Sequence, residues 1–158
     1  MNNLKVTRKS NLIMIVIALI VVAVIVFPFN MNSNVVSGTP ATMYKSASCG
    51  CCVQYAPYFE SYDFDLDVNA IQDMSQIKNQ YNIPSDMESC HTVIIGDYFV
   101  EGHVPIEAIN KLLNEMPDID GISLPGMPSG SPGMPGIKHG DWIIYSIKDG
   151  VASEFMRI

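Results

Sequence analysis

A chain of 158 residues has room for one small domain and its attachments. Past residue 30 it carries six basic residues against all sixteen acidic ones, a formal charge of −10, which argues against nucleic acid or anionic lipid as a partner. No nucleophile–base pairing or phosphate loop stands out, and the Asp63-Asp65-Asp67 alternation lacks the glycine and glutamate of a calcium loop, so it reads as a solvated strand face.

Lys5, Arg8 and Lys9 precede an uncharged, almost wholly aliphatic run from Leu12 to Phe27. Counted on to Phe29 it is 18 residues, near the lower limit for a spanning helix. Residues 1–11 read as a basic cytoplasmic tail and 12–29 as a transmembrane anchor, since no small-x-small cleavage site follows and no cysteine stands just past the run to take a lipid. A cleaved signal peptide is the alternative. The positive-inside rule puts Met31 onward outside the cytoplasm, on a single-pass protein of the cell membrane. Thiols there are oxidised, metal-bound or cycled by a partner. Residues 30–40 read as a tether reaching roughly 15–20 Å if it stays coil-like, and 41–158 as the domain.

Within the domain, Ala41–Lys45 reads as a strand and Ser46–Gly50 as a loop. A helix is expected from Cys51 or Cys52, burying Val53, Tyr55, Ala56 and Phe59, with Pro57 tolerated only near its first turn. Phe64–Val68 alternates as a strand. Ile71, Met74, Ile77, Lys78 and Tyr81 follow helical spacing until Asn82-Ile83-Pro84 ends the run. Thr92–Ile95, a Gly96-Asp97 turn and Tyr98–Val100 form a hairpin. Pro105 opens a helix whose inner face is Ile109, Leu112, Leu113 and Met116, and Met43, Met74 and Met116 are expected in the core. The order β-α-β-α-β-β-α is that of a thioredoxin-like α/β fold. A Gly/Pro/Met stretch, 124–136, excludes helix or interior strand. Trp142–Ile147 and Ala152–Met156 around Asp149-Gly150 make a C-terminal β-hairpin.

The four cysteines are the chemical feature. Cys49, Cys51 and Cys52 lie within four residues, and Cys90 directly precedes His91. Core cysteines scatter, so this crowding points to a soft metal or to thiol–disulfide chemistry. Cys51-Cys52 is a poor disulfide pair, whereas Cys49 and Cys52 form a C-x-x-C pair that keeps a redox reading open. In the expected order the cluster sits at the start of the first helix, whose N-terminus favours thiolates. Cys90, just before the third strand, should face it. Thiolate with thioether and imidazole selects soft ions, foremost Cu(I). Thiolate and imidazole alone also suit Zn²⁺, but the motif is too compact for the separated knuckles of a zinc ribbon. Met127 and Met134 offer thioethers on the loop, and His103 ends the fourth strand at the same edge. The plainer readings are structural disulfides for the cysteines, strand-edge or turn histidines for His91 and His103, and methionines that merely pack the loop. His139 reads as surface.

Four ordered stretches, Tyr44–Cys52, Ser89-Cys90-His91-Thr92, Glu101-Gly102-His103-Val104-Pro105 and Pro125-Gly126-Met127-Pro128, resemble the CopG-like copper-resistance proteins over about residues 43–158. The resemblance implies a thioredoxin-like domain outside the cytoplasm that binds a Cu(I) cluster through Cys49, Cys51, Cys52 and Cys90, with His103, Met127 and Met134 as further candidates; His91 is a candidate from its place beside Cys90. Ala47 stands where many members have proline, and Pro135 follows Met134 where an acidic residue is frequent. The expected function is a membrane-tethered copper-binding protein that sequesters the ion or passes it to a copper-handling or redox partner. The alternative is a thiol–disulfide oxidoreductase using Cys49 and Cys52. Against it, such enzymes place a cis-proline before the third strand, where this chain has Cys90-His91.

Overall fold

The computed structural model describes residues 38–158, so the expected anchor and most of the tether lie outside the described residues. Among the described residues no helix is long and apolar enough to cross a membrane. The elements are β1 (Pro40–Ser46), α1 (Cys52–Glu60), β2 (Asp65–Ile71), α2 (Ser75–Gln80), β3 (His91–Ile95), β4 (Tyr98–Gly102), α3 (Ile106–Glu115), β5 (Gly121–Leu124), β6 (Ile143–Lys148) and β7 (Val151–Arg157). They build a mixed α/β fold around one sheet in the order β2-β1-β3-β4-β5-β6-β7. The β1–β2 and β4–β5 pairs are parallel, and the other neighbours are antiparallel.

The first seven elements follow the expected order, and β5 is the addition. Gly121–Leu124 is a fully buried strand between β4 and β6, where the sequence reading began a loop at Leu124. It joins the C-terminal hairpin to the main sheet. A Cβ at Gly121 would collide with the Phe99 backbone, so only glycine lets β5 lie against β4 there. Asp149 and Gly150, both at positive φ, make the tight turn between β6 and β7.

The pleat sorts the core onto two faces. On one, Met43, Val93, Val100 and Ile122 pack with Tyr55 and Phe59 of α1 and Ile109 and Leu112 of α3. A smaller cluster joins Ile83, Phe99 and Ile147, with Tyr81, Met87 and Ile94 packed against it.

Several local expectations need correction. Ile71 belongs to β2, because the ladder with β1 runs through Ser46↔Ile71, and α2 starts only at Ser75. Asp73 accepts hydrogen bonds from the Ser75 N–H (2.9 Å) and hydroxyl (2.6 Å), serving the new helix's first turn. Val53 is exposed rather than inward, since Tyr55 and Phe59 set the buried stripe of α1. Met116 is also exposed, at 72%, because the chain turns left-handed there (φ 43°) and ends α3. Met74 is half-buried, and Met43 is fully buried as expected.

Candidate metal centre

Strand register brings the cysteines together. Lys45 of β1 pairs with His91 of β3, so the loop leaving β1 and the loop entering β3 lie side by side. The Ser46 N–H donates to the Cys90 carbonyl at 3.0 Å, and the Cys49 N–H turns back to the Ser46 carbonyl at 3.0 Å. Residues 49–52 then enter α1 directly.

All four cysteine sulfurs lie within 4.8 Å of one another. Cys90 Sγ lies 2.8 Å from Cys49 Sγ, 3.4 Å from Cys52 Sγ and 3.6 Å from Cys51 Sγ, and Cys49 Sγ is also 3.4 Å from Cys51 Sγ. Cys49, in the loop before α1, and Cys52, its first residue, are joined as a disulfide, while Cys51 and Cys90 are free and half-exposed. The Cys52 backbone N–H points at Cys49 Sγ (3.3 Å), the anion-favouring geometry of a helix start. Cys90 lies off that helix end. Burial pushes its thiol up to about 11, reinforced by the neighbouring Cys51, because a thiolate there is poorly solvated and close to another thiol.

The two histidines lie beneath. His91 is fully buried with Nδ1 3.5 Å from Cys52 Sγ. Burial, with His103 and Lys78 nearby, lowers it to about 3, so the ring is neutral. His103 is also lowered by burial, and its Nδ1–H donates to the Pro132 carbonyl at 2.7 Å. Both Nε2 atoms are buried without a hydrogen-bond partner. Tyr55 packs against the two rings, at 4.7 Å from His91 and 5.2 Å from His103, and its hydroxyl donates to the Val104 carbonyl (2.8 Å).

The Gly/Pro/Met stretch closes over this site. Met127, in a left-handed conformation (φ 47°), brings its thioether 3.9 Å from Cys90 Sγ, a contact Met134 does not make. Met134 is half-buried, its N–H donating to the Ser131 carbonyl (2.8 Å). His139 is exposed. Gly133 (φ 76°) lies against the start of α1, where a Cβ would come within 2.9 Å of the Tyr55 nitrogen. Gly133→Ala is therefore expected to cost about 1–3 kcal/mol and to lift the loop from α1. Faster proteolytic cleavage within 125–136 and a lowered Tm would show it; unchanged cleavage would remove the loop's anchorage at Gly133.

Sequence reasoning missed Tyr55 as the platform for the histidines, and a buried polar network beside Cys90. In that network Lys78, 2% exposed, pairs with Glu101, fully buried. The available signal was a lysine in an otherwise apolar helical register. The donor set suits a soft ion: four sulfurs at one point, a nearby thioether and neutral imidazole nitrogens. In the disulfide form, two of those sulfurs are tied to each other.

Comparison with known proteins agrees with this geometry. A family model described as "Protein of unknown function, DUF411" matches residues 87–134, which contain Cys90, His103 and both loop methionines. Two solved structures, both named copper resistance protein CopG (forms 1 and 2), are 35% identical to this chain and cover 77% of it. The chain covers 98% of form 1 with a TM-score of 0.70, and 99% of form 2 with a TM-score of 0.71. No curated protein sequence matches.

Proposed function

The chain belongs to the CopG-like copper-resistance family, and on that premise we propose that it binds copper as Cu(I) through Cys49, Cys51, Cys52 and Cys90. The observation that carries this reading is the convergence of four sulfurs within 4.8 Å, where thiol–disulfide exchange needs two. Packed thiolates can share soft ions between them, so the site suits a multinuclear Cu(I) cluster. Met127 is the accessory ligand best supported by geometry, and His91, beside Cys52, is the better placed of the two histidines. His103 and Met134 are better read as holding the loop, although the Nε2 of His103 keeps a free lone pair.

The disulfide defines a second state of the same site. Two electrons and two protons from a dithiol donor convert the Cys49–Cys52 bond to two thiols, which completes the four-sulfur set. Copper is then cargo, sequestered or handed to a copper-handling or redox partner. In keeping with the β2-β1-β3-β4 arrangement, we read the domain as thioredoxin-like, with β5–β7 added at the β4 edge. The aliphatic N-terminal run supports a tether holding this domain at the outer face of the cell membrane.

The test is anaerobic Cu(I) titration of residues 31–158, alongside thiol counts. Two thiols should titrate before reduction and four after it. Several copper ions should bind the reduced form, and Cys51→Ser should remove most of that capacity. The second reading, a Cys49/Cys52 oxidoreductase, is favoured by the disulfide itself and by the Cys90 thiol 2.8 Å from it. It predicts disulfide-reductase turnover that survives Cys51→Ser and retains no copper.

A further inference from the structure

Cys90 sits in the loop entering β3, and no peptide bond among the described residues is cis. Some other device must fix that loop. Beside it, Glu101 of β4 takes three hydrogen bonds inside the protein. Oε1 accepts from Lys78 Nζ and from the Ser89 backbone N–H, and Oε2 accepts from the Thr92 hydroxyl at 2.8 Å. Lys78 Nζ, from α2, also donates to Thr92 Oγ1 at 2.7 Å. Ser89 and Thr92 are the residues that bracket Cys90-His91, and the Ser89 hydroxyl donates to the His91 carbonyl at 3.0 Å. Next to Glu101, Gly102 (φ 79°) turns the strand end against Ser89, where a Cβ would lie 3.3 Å from Ser89 Cβ.

Burying both charges is a poor route to stability, since the desolvation cost offsets the attraction and apolar replacements of similar volume are often neutral or stabilising. The bonds of this pair instead converge on the two residues flanking one cysteine. We propose that the buried Lys78–Glu101 pair is a positioning device that holds Cys90 against Cys49, Cys51 and Cys52, and that copper loading depends on it through that placement. The role in loading rests on the copper reading above; the role in placing Cys90 does not. Lys78 and Glu101 touch no sulfur, so they are positioning residues and not ligands.

The paired substitution Lys78→Met/Glu101→Leu removes the network without stranding a charge. It should fold with a Tm close to the wild type. In the reduced, metal-free protein, iodoacetamide should alkylate Cys90 at least fivefold faster relative to Cys51, read by peptide mass, and Cu(I) affinity against a chromophoric chelator should fall at least tenfold. Lys78→Met/Glu101→Gln restores an uncharged acceptor for the Ser89 N–H and should return the Cys90 rate to within about twofold of the wild type, a rescue that a general packing defect would not give. Thr92→Val, which deletes one hydroxyl, should raise the Cys90 rate two- to fivefold, and it decides the matter if the Met/Leu pair does not fold. A Cys90 rate within twofold of wild type in the folded Met/Leu pair, or unchanged in Thr92→Val if that pair is unfolded, overturns the proposal. Failure of the wild type itself to bind Cu(I) overturns the copper reading instead, and the metal-free alkylation still judges the placement of Cys90.

Discussion

Cys90→Ser is expected to weaken Cu(I) binding by about a hundredfold or more, since loss of an outer-sphere partner alone typically costs 10–100-fold and this residue is proposed as a ligand. Cys90 Sγ approaches all three other sulfurs, at 2.8, 3.4 and 3.6 Å, and it is the one donor of the four that comes from outside residues 49–52. Its removal takes one of the four sulfurs from the set and substitutes a hard oxygen for a soft donor. It also takes away the only thiol within 3.9 Å of the Met127 thioether among the described residues. The fold should tolerate the change, because Cys90 is half-exposed and its backbone carbonyl still accepts the Ser46 N–H. Competition against a Cu(I)-specific chelator, with circular dichroism as the fold control, measures this. Affinity within threefold of wild type would mean that copper, if bound, is held by residues 49–52 without the loop before β3.

Tyr55→Ala should destabilise the domain by about 3–5 kcal/mol, the usual cost of emptying a buried aromatic site. That corresponds to a Tm lowered by roughly 10–20 °C for a domain of this size. Tyr55 is fully buried and contacts Phe59 (5.5 Å) and Tyr58 (5.7 Å) besides the two histidines. The cavity would open under His91 and His103, so copper binding should weaken as well. Tyr55→Phe keeps the ring and leaves the Val104 carbonyl without its donor, a loss of about 1 kcal/mol. Thermal or urea unfolding of the two variants separates ring from hydroxyl. A loss below 2 kcal/mol for Tyr55→Ala would show that the site collapses around the missing ring and that Tyr55 is not the platform the distances suggest.

Much of the fold was legible because its signals are local. Strict alternation marked β2, the Gly96-Asp97 and Asp149-Gly150 pairs marked two hairpins, and Pro105 marked the start of α3. Where a signal was ambiguous, pairing decided. Ile71 fits a helical register, but the ladder with Ser46 claims it for β2. Gly121–Leu124 is too short to announce itself, and it becomes a strand only because β4 and β6 flank it. Met116 has the spacing of an inner-face residue, yet the left-handed end of α3 turns it outward.

The sequence by itself determined the chemistry on offer: three thiols in four residues, a fourth beside a histidine, and soft thioethers on a loop that cannot be helix. Those are matters of residue type and spacing, which no fold can alter. Only the tertiary structure decided which donors meet. Cys90 reaches Cys49 across 41 residues because β1 and β3 pair antiparallel with Lys45 opposite His91. Met127 reaches Cys90, while His103 is turned to the Pro132 carbonyl. Lys78 and Glu101, 23 residues apart, become partners only once β3, β4 and α2 are packed. Contacts between distant segments depend on register and burial, and neither is written in the spacing of any one stretch.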